Sequence, residues 1–258
     1  MRFARYSAHG EIAYGVVEGQ VVRQITGTPF EAYRVTDHSH RLAEVRLLAP
    51  CTPSKVLCMA VNYVSHAGVV PGTGAPNMPT QPEPFLKAPT TIIGPEEPIV
   101  IPRIYEGRVD EEGEVVVVIG KRCKRVSKED ALSYVLGYTC GNDVSARQWQ
   151  SGDRQWWRGK SSDTFAPIGP FIVTELDHAN ITFRIRVNGK EIREGNTKDL
   201  AYDIPTIISF ISQVMTLEPG DVIFTGTPGR PAEIKAGDTV EMEAAGVGVL
   251  RNPVRAEE

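Results

Sequence analysis

The chain has no excess of either charge: 28 Lys and Arg stand against 32 Asp and Glu, a net −4 with histidines neutral. Nothing in that balance would neutralise a row of phosphates, which argues against nucleic acid as a partner. Long apolar runs are also missing. The longest, around residues 115–119, falls far short of the roughly 20 residues of a membrane helix, so no membrane association is expected. The opening MRFARYSAHGEIAYG lacks the uninterrupted apolar stretch of a secretory signal. Cysteine is scarce, and Cys51, Cys58, Cys123 and Cys140 show no CxxC spacing. That pattern argues against a disulfide scaffold and a structural zinc site and points to a reducing, cytoplasmic compartment. GxSxG, P-loop, dinucleotide GxGxxG and HExxH motifs are absent as well. Any catalysis must rest on carboxylates, a histidine or a hard metal.

What is present is ordinary globular usage, 41% hydrophobic and 23% charged over 258 residues. That length suits one large domain with a smaller one attached. EIAYGVVEGQVVRQI alternates around Glu18-Gly19 as a hairpin, and ITFRIRVNGKEIREG turns at Asn188-Gly189, the strongest short hairpin signal. Prolines 50 and 53 mark a soft boundary before the strand KVLCMAVNY. The expected units are therefore a β-rich domain over residues 1–52 and a larger one over 53–258. Residues 71–84, PGTGAPNMPTQPEP, read as a surface linker or a loop beside a site. Ser127, with Asp130 three residues on, predicts a helix stopping at Gly137, and residues 203–214 predict another with Pro205 in its first turn. Strands outnumber helices without a βαβ rhythm, so the expected class is α+β and β-rich, with an antiparallel or mixed core.

The acids of VDEEGEVVVVIG carry the clearest chemistry. Glu112 and Glu114 sit at i and i+2, on one face of a strand. Like charges side by side repel unless a cation lies between them, and a hard Mg²⁺ or Mn²⁺ ion suits such oxygen donors. Asp143, at the end of YTCGND, is a third candidate ligand from a neighbouring strand. On these residues alone a solvated acidic turn, whose charges never meet, is the simpler account. His66 follows KVLCMAVNY and could act as a general base, while Lys160 in RGKSSDTF could meet a carboxylate or an oxyanion. Taken alone, His66 is more often a loop histidine without a role and Lys160 ordinary surface charge. The basic run 121–125 reads as a solvated turn, and Trp149, Trp156 and Trp157 either wall a pocket or pack the core.

Taken together, AVNYVSHA, FLKAPT, VDEEGEVVVVIGKR, GYTCGNDVSARQWQ, RGKSSDTFAPIGP, VNGKEIREGNTKDL, MTLEPGDVIFTGTP and GVGVLRNPV resemble the fumarylacetoacetate hydrolase family over residues 54–254. The resemblance implies a mixed β-sandwich roll with a small N-terminal domain, assembled as a homodimer. It implies Mg²⁺ or Mn²⁺, with Ca²⁺ a stand-in in crystals, on Glu112, Glu114 and Asp143. It makes His66 and Lys160 catalytic and places Tyr63, Arg147, Gln150 and Thr227 against a small oxo-acid substrate. Many relatives carry Glu three residues after the histidine, where this chain has Val69; Glu83 is one candidate replacement. Many acylpyruvate-cleaving relatives carry Arg where Val61 stands. Hydrolytic C–C cleavage of a 2-oxo or 1,3-dicarbonyl acid is the expected reaction. Decarboxylation or isomerisation of a muconate-type diacid is the alternative, and a non-catalytic ligand-binding scaffold a third reading.

Overall fold

Strand Gly113–Ile119 is buried along its whole length, and a strand without a solvated face must be covered on both sides. On one face Val115, Val117 and Ile119 pack with Phe183, Ile185 and Met242. On the other, Val116 and Val118 pack with Val56, Cys58, Val222 and Phe224. The computed structural model describes residues 1–68 and 77–258, so Val69 and positions 71–76 of the Pro/Gly-rich segment lie outside the described residues.

Among the described residues the main sheet has twelve strands. Its order runs Val35–Arg41, Val21–Ile25, Glu11–Glu18, Arg2–Ala8, Ala166–Val173, Val135–Asn142, Gly113–Ile119, Val222–Phe224, Val56–Met59 and Pro84–Lys87, with two short strands at its side. A five-stranded sheet supplies the second layer, ordered Lys190–Asn196, Thr182–Val187, Thr239–Ala244, Gly248–Ala256 and Ile99–Ile101. Most pairings are antiparallel, while Val222–Phe224 with Val56–Met59, Gly248–Ala256 with Ile99–Ile101 and Ala166–Val173 with Ile92–Ile93 are parallel. The class is the expected β-rich α+β. The N-terminal strands continue the main sheet through Arg2↔Val173 and Phe3↔Ile172. None of the described helices is long and apolar enough to cross a membrane.

Both hairpins form where the sequence places them. Asn188 and Gly189 adopt φ of 54° and 74°, the left-handed pair that a two-residue turn between twisted strands requires. The helix Ile204–Val214 buries Ile204, Ile207, Ile208 and Ile211, a stripe at i, i+3, i+4 and i+7. Asp203 caps it, its Oδ1 accepting from the Thr206 amide at 3.0 Å. The helix expected after Ser127 is a correction. Ser127 does accept from the Asp130 amide at 3.2 Å, but only a single 3₁₀ turn, Ala131–Tyr134, follows. Gly137 then lies inside the strand Val135–Asn142, because a Cβ there would stand 2.4 Å from the Val173 carbonyl of the next strand. Close strand contact, and not a helix stop, explains that glycine.

Candidate active site

Sheet register brings the three acids together. Gly113 pairs with Asn142 and Glu114 with Gly141, and the Asp143 amide donates to the Glu112 carbonyl at 2.9 Å. Paired residues of antiparallel strands point to one face, so Glu112, Glu114 and Asp143 converge, their oxygens within 4.8 Å of one another and all three buried. The intervening Gly113 faces the second sheet, where a Cβ would meet Ile185 Cγ1 at 2.6 Å. The strand can therefore carry two inward acids only with no side chain between them.

Their surroundings differ. Glu112 is bonded by Lys160 Nζ at 3.0 Å and by Arg147 Nη2. Burial raises its pKa, but Lys160, Arg147 and His66 outweigh that and lower it to about 2. Glu114 accepts the Gly226 amide and has no cation bonded to it among the described residues. Burial first, then Asp143 and Glu112, push its carboxyl well above the usual range. Asp143 is held by Lys87 on one oxygen and Lys160 on the other. Attraction to Asp143 and Glu112 outweighs burial and raises the Lys160 ammonium above its ordinary value.

This donor set fits a hard divalent ion. Its spread is close to the roughly 4 Å between opposite oxygens on Mg²⁺, and Glu114 is a buried acid lacking positive charge. The lysines do not block such an ion, because each carboxylate oxygen has a second lone pair.

A cleft lies over the acids. His66, Arg147, Gln150, Trp156, Lys160 and Thr227 line it together with Met59, Val61, Asn62 and Phe85. His66 ends a 3₁₀ turn, Val64–His66, and its Nδ1 lies 2.7 Å from the Gly229 carbonyl. A carbonyl only accepts, so in the neutral ring Nδ1 carries the proton and Nε2 the lone pair. Arg147 binds Asp110, Glu112 and the Gln150 carbonyl oxygen, which leaves the Gln150 amide NH₂ to meet a ligand. Thr227 Oγ1 donates to the Gly113 carbonyl at 2.9 Å.

Tyr63 is not among the residues lining the cleft: its ring is buried against Phe183 and its hydroxyl donates to the Asn196 carbonyl at 3.3 Å. Trp156 walls the cleft edge-on to Phe85. Trp149 instead packs on Tyr105, and Trp157 is exposed. Val61 adopts φ of 48°, a costly conformation for a β-branched residue. It lies in the turn after Val56–Met59 that leads toward His66, and the next residue, Asn62, is buried and clamps Thr225 and Tyr202. Sequence reasoning passed over Lys87 and Asn62. The signal for Lys87 was a lysine closing the apolar strand of FLKAPT.

A buried acid triad beneath a cleft is a donor set that could hold a hard divalent ion, and comparison with known proteins gives the family of enzymes to which this architecture belongs. The model of the fumarylacetoacetate (FAA) hydrolase C-terminal domain matches residues 55–255, and the Rv2993c-like N-terminal model matches residues 1–50; the chain belongs to the fumarylacetoacetate hydrolase family. A solved 5-carboxymethyl-2-hydroxymuconate delta-isomerase from Mycobacterium smegmatis is 42% identical, with a TM-score of 0.92 and both chains covered completely. A mitochondrial oxaloacetate tautomerase of Homo sapiens is 40% identical over 82% of this chain and 70% of its own. The solved fumarylacetoacetate hydrolase of Exiguobacterium antarcticum is 35% identical, with a TM-score of 0.86 and full coverage of both chains.

Proposed function

We propose that this protein is a divalent-metal-dependent tautomerase or isomerase of small 2-oxo diacids, moving a proton between carbon and oxygen or between two carbons next to the oxo group. The observation that carries this reading is the partner of His66: Nδ1 rests on a neutral backbone carbonyl, Gly229 O. Extracting a proton from water forms a charged ring that a carboxylate partner would stabilise, and a carbonyl offers only its dipole. A carbon acid flanked by carbonyl groups yields its proton far more readily than water.

Glu112, Glu114 and Asp143 would hold the ion, whose positive charge would polarise the oxo group and favour the enolate-like charge distribution. His66 Nε2 takes the proton from one position and returns it to the other. Lys160 spends two of its three N–H donors on Glu112 and Asp143, and the third is left for a substrate oxygen. The Gln150 amide and Arg147 suit a substrate carboxylate. Phe85 and Trp156 exclude water from one wall. The names of the M. smegmatis and human relatives support the same chemistry.

Hydrolytic C–C cleavage is the second reading, favoured by the hydrolase from E. antarcticum and by a lysine beside the acids that could steady an oxyanion. One experiment separates the two. Protein loaded with Mg²⁺ or Mn²⁺ is given enol-oxaloacetate, a hydroxymuconate-type diacid and an acylpyruvate in D₂O and in H₂¹⁸O. Metal-dependent ketonisation with deuterium at C3 and no ¹⁸O in carboxylates is expected. An ¹⁸O-labelled carboxylate released from the acylpyruvate, with no metal-dependent ketonisation of enol-oxaloacetate, would replace tautomerisation with hydrolysis. A homodimer, which the family resemblance implies, is checked by sedimentation in the same samples.

A further inference from the structure

Behind the acid triad the strand carries another acid. Glu111 is fully buried, and both its oxygens accept from Arg193 Nη2, at 2.9 and 2.8 Å. Arg193 projects from the strand Lys190–Asn196 and is nearly buried itself. The pair is joined at several points to the irregular segment 227–232. Glu111 Oε1 accepts the Ala232 amide at 2.9 Å, and the Glu111 amide donates to the Ala232 carbonyl at 3.1 Å. Arg193 Nη1 donates to the Arg230 carbonyl at 2.7 Å, and Nη2 reaches Thr227 Oγ1 at 3.3 Å.

Gly229 sits between these anchors. It adopts φ of 62°, and a Cβ there would stand 3.3 Å from Arg193 Cδ, so the backbone lies directly on the arginine stem. The same residue turns its carbonyl to His66 Nδ1 at 2.7 Å and donates its amide to Ser65 Oγ at 3.1 Å. Arg108 also holds the Pro231 carbonyl, at 3.1 Å, but its side chain is half exposed, where solvent weakens such a contact. The buried connection from Glu111 through Arg193 to Gly229 is thus what fixes the carbonyl that His66 leans on.

We infer that the buried pair Glu111 and Arg193 positions the base, selecting the ring form of His66 that carries its proton on Nδ1 and offers Nε2 to the substrate. Neither residue touches the cleft chemistry; both act through the segment 227–232. The proposal rests on the reading of His66 as the proton carrier. A displaced Gly229 carbonyl frees the ring to turn or to exchange its proton to Nε2, leaving a donor where a base is needed.

The test uses the full chain loaded with Mg²⁺ and ¹⁵N-labelled at histidine, of which there are five. His66→Gln assigns the His66 signals. Long-range ¹H–¹⁵N spectra should give the Nδ1–H form in the parent protein and a substantial share of Nε2–H in Arg193→Gln. With enol-oxaloacetate, kcat should fall about 10- to 100-fold, the scale on which such supporting contacts act, with KM changed less than about threefold. Arg193→Lys, which keeps the charge and one donor toward Glu111, should recover part of both. If Arg193→Gln does not fold, Glu111→Gln carries the test, since it keeps an acceptor for Ala232 and removes the ion pair. A folded variant that retains the Nδ1–H form, or that shifts form while the parent's kcat is kept, overturns the proposal. A parent protein that turns over no diacid, while the variant still shifts the ring form, instead overturns the proposed reaction and leaves the positioning intact.

Discussion

The two walls of the cleft are built by different means. Glu112, Glu114 and Asp143 stand on paired strands in the middle of the main sheet, where register alone decides that their side chains meet. His66 stands on a single 3₁₀ turn after a strained valine and is oriented by one hydrogen bond to a loop more than 160 residues away in sequence. The acid wall is therefore as rigid as the sheet core, and the histidine wall only as rigid as the contacts that hold segment 227–232. Such a division suits a reaction in which charge must be held still while a proton moves.

The largest expected effect comes from removing Glu114, the triad acid that no cation among the described residues bonds. Glu114→Gln should abolish metal-dependent turnover, a loss of about 10³-fold or more, since ion polarisation contributes several kcal/mol at 1.36 kcal/mol per tenfold. The same change should alter how metal-free stability depends on pH. Glu114 is raised in the folded protein, so it binds its proton more tightly folded than unfolded. Its stabilising effect is complete below the usual carboxylate range and is lost as pH rises from about 4.5 through the raised value. Glu112 works in the opposite sense: lowered to about 2 from 4.5, it adds stability above about 4.5 that disappears as pH falls toward 2. Denaturant melts of the metal-free protein between pH 5 and 8 should show stability declining with pH, and Glu114→Gln should flatten that decline. Equal slopes would mean that Glu114 is not the uncompensated charge.

A smaller effect is expected at Lys87, whose buried ammonium bonds Asp143 and, at 3.2 Å, the Val144 carbonyl. Breaking one partner of a buried ion pair typically costs about 3–5 kcal/mol, so Lys87→Met should lower the metal-free Tm by several degrees. Saturating Mg²⁺ should recover part of the loss, because an ion binding only the folded state stabilises it by mass action and restores positive charge beside Asp143. Calorimetry with and without Mg²⁺ measures both. Full stability in the metal-free variant would show that Lys160 suffices for Asp143.

The same contrast sorts what the sequence made legible. Glu112 and Glu114 could be read because i and i+2 on a strand is a local rule, and Asp143 because it ends the next strand. The Asn188-Gly189 hairpin and the Ile204–Val214 helix are local too. Gly137 misled, since a glycine required by contact with the Val173 carbonyl looks identical in sequence to a helix stop. Lys87, Arg193 and Gly229 reach the site or its supports through pairings remote in sequence, which no spacing rule encodes.

The smallest effect is expected where the two walls could have been linked. A carboxylate on His66 would turn the ring into a stronger water-activating base and favour hydrolysis, and Glu83 is the acid nearest in sequence to supply it. Its backbone carbonyl is tied to the Ala60 amide at 2.9 Å, and its side chain lines a neighbouring cavity with Pro82, Phe85 and Trp156. Segment 69–76, VVPGTGAP, contains no acid at all. Glu83→Gln should therefore leave ketonisation of enol-oxaloacetate within about twofold of the parent, the range of a substitution away from any working contact. A fall of 100-fold, confined to kcat, would mean that Glu83 reaches His66 during turnover. The histidine wall would then carry its own charge, and hydrolysis would become the better account of the reaction.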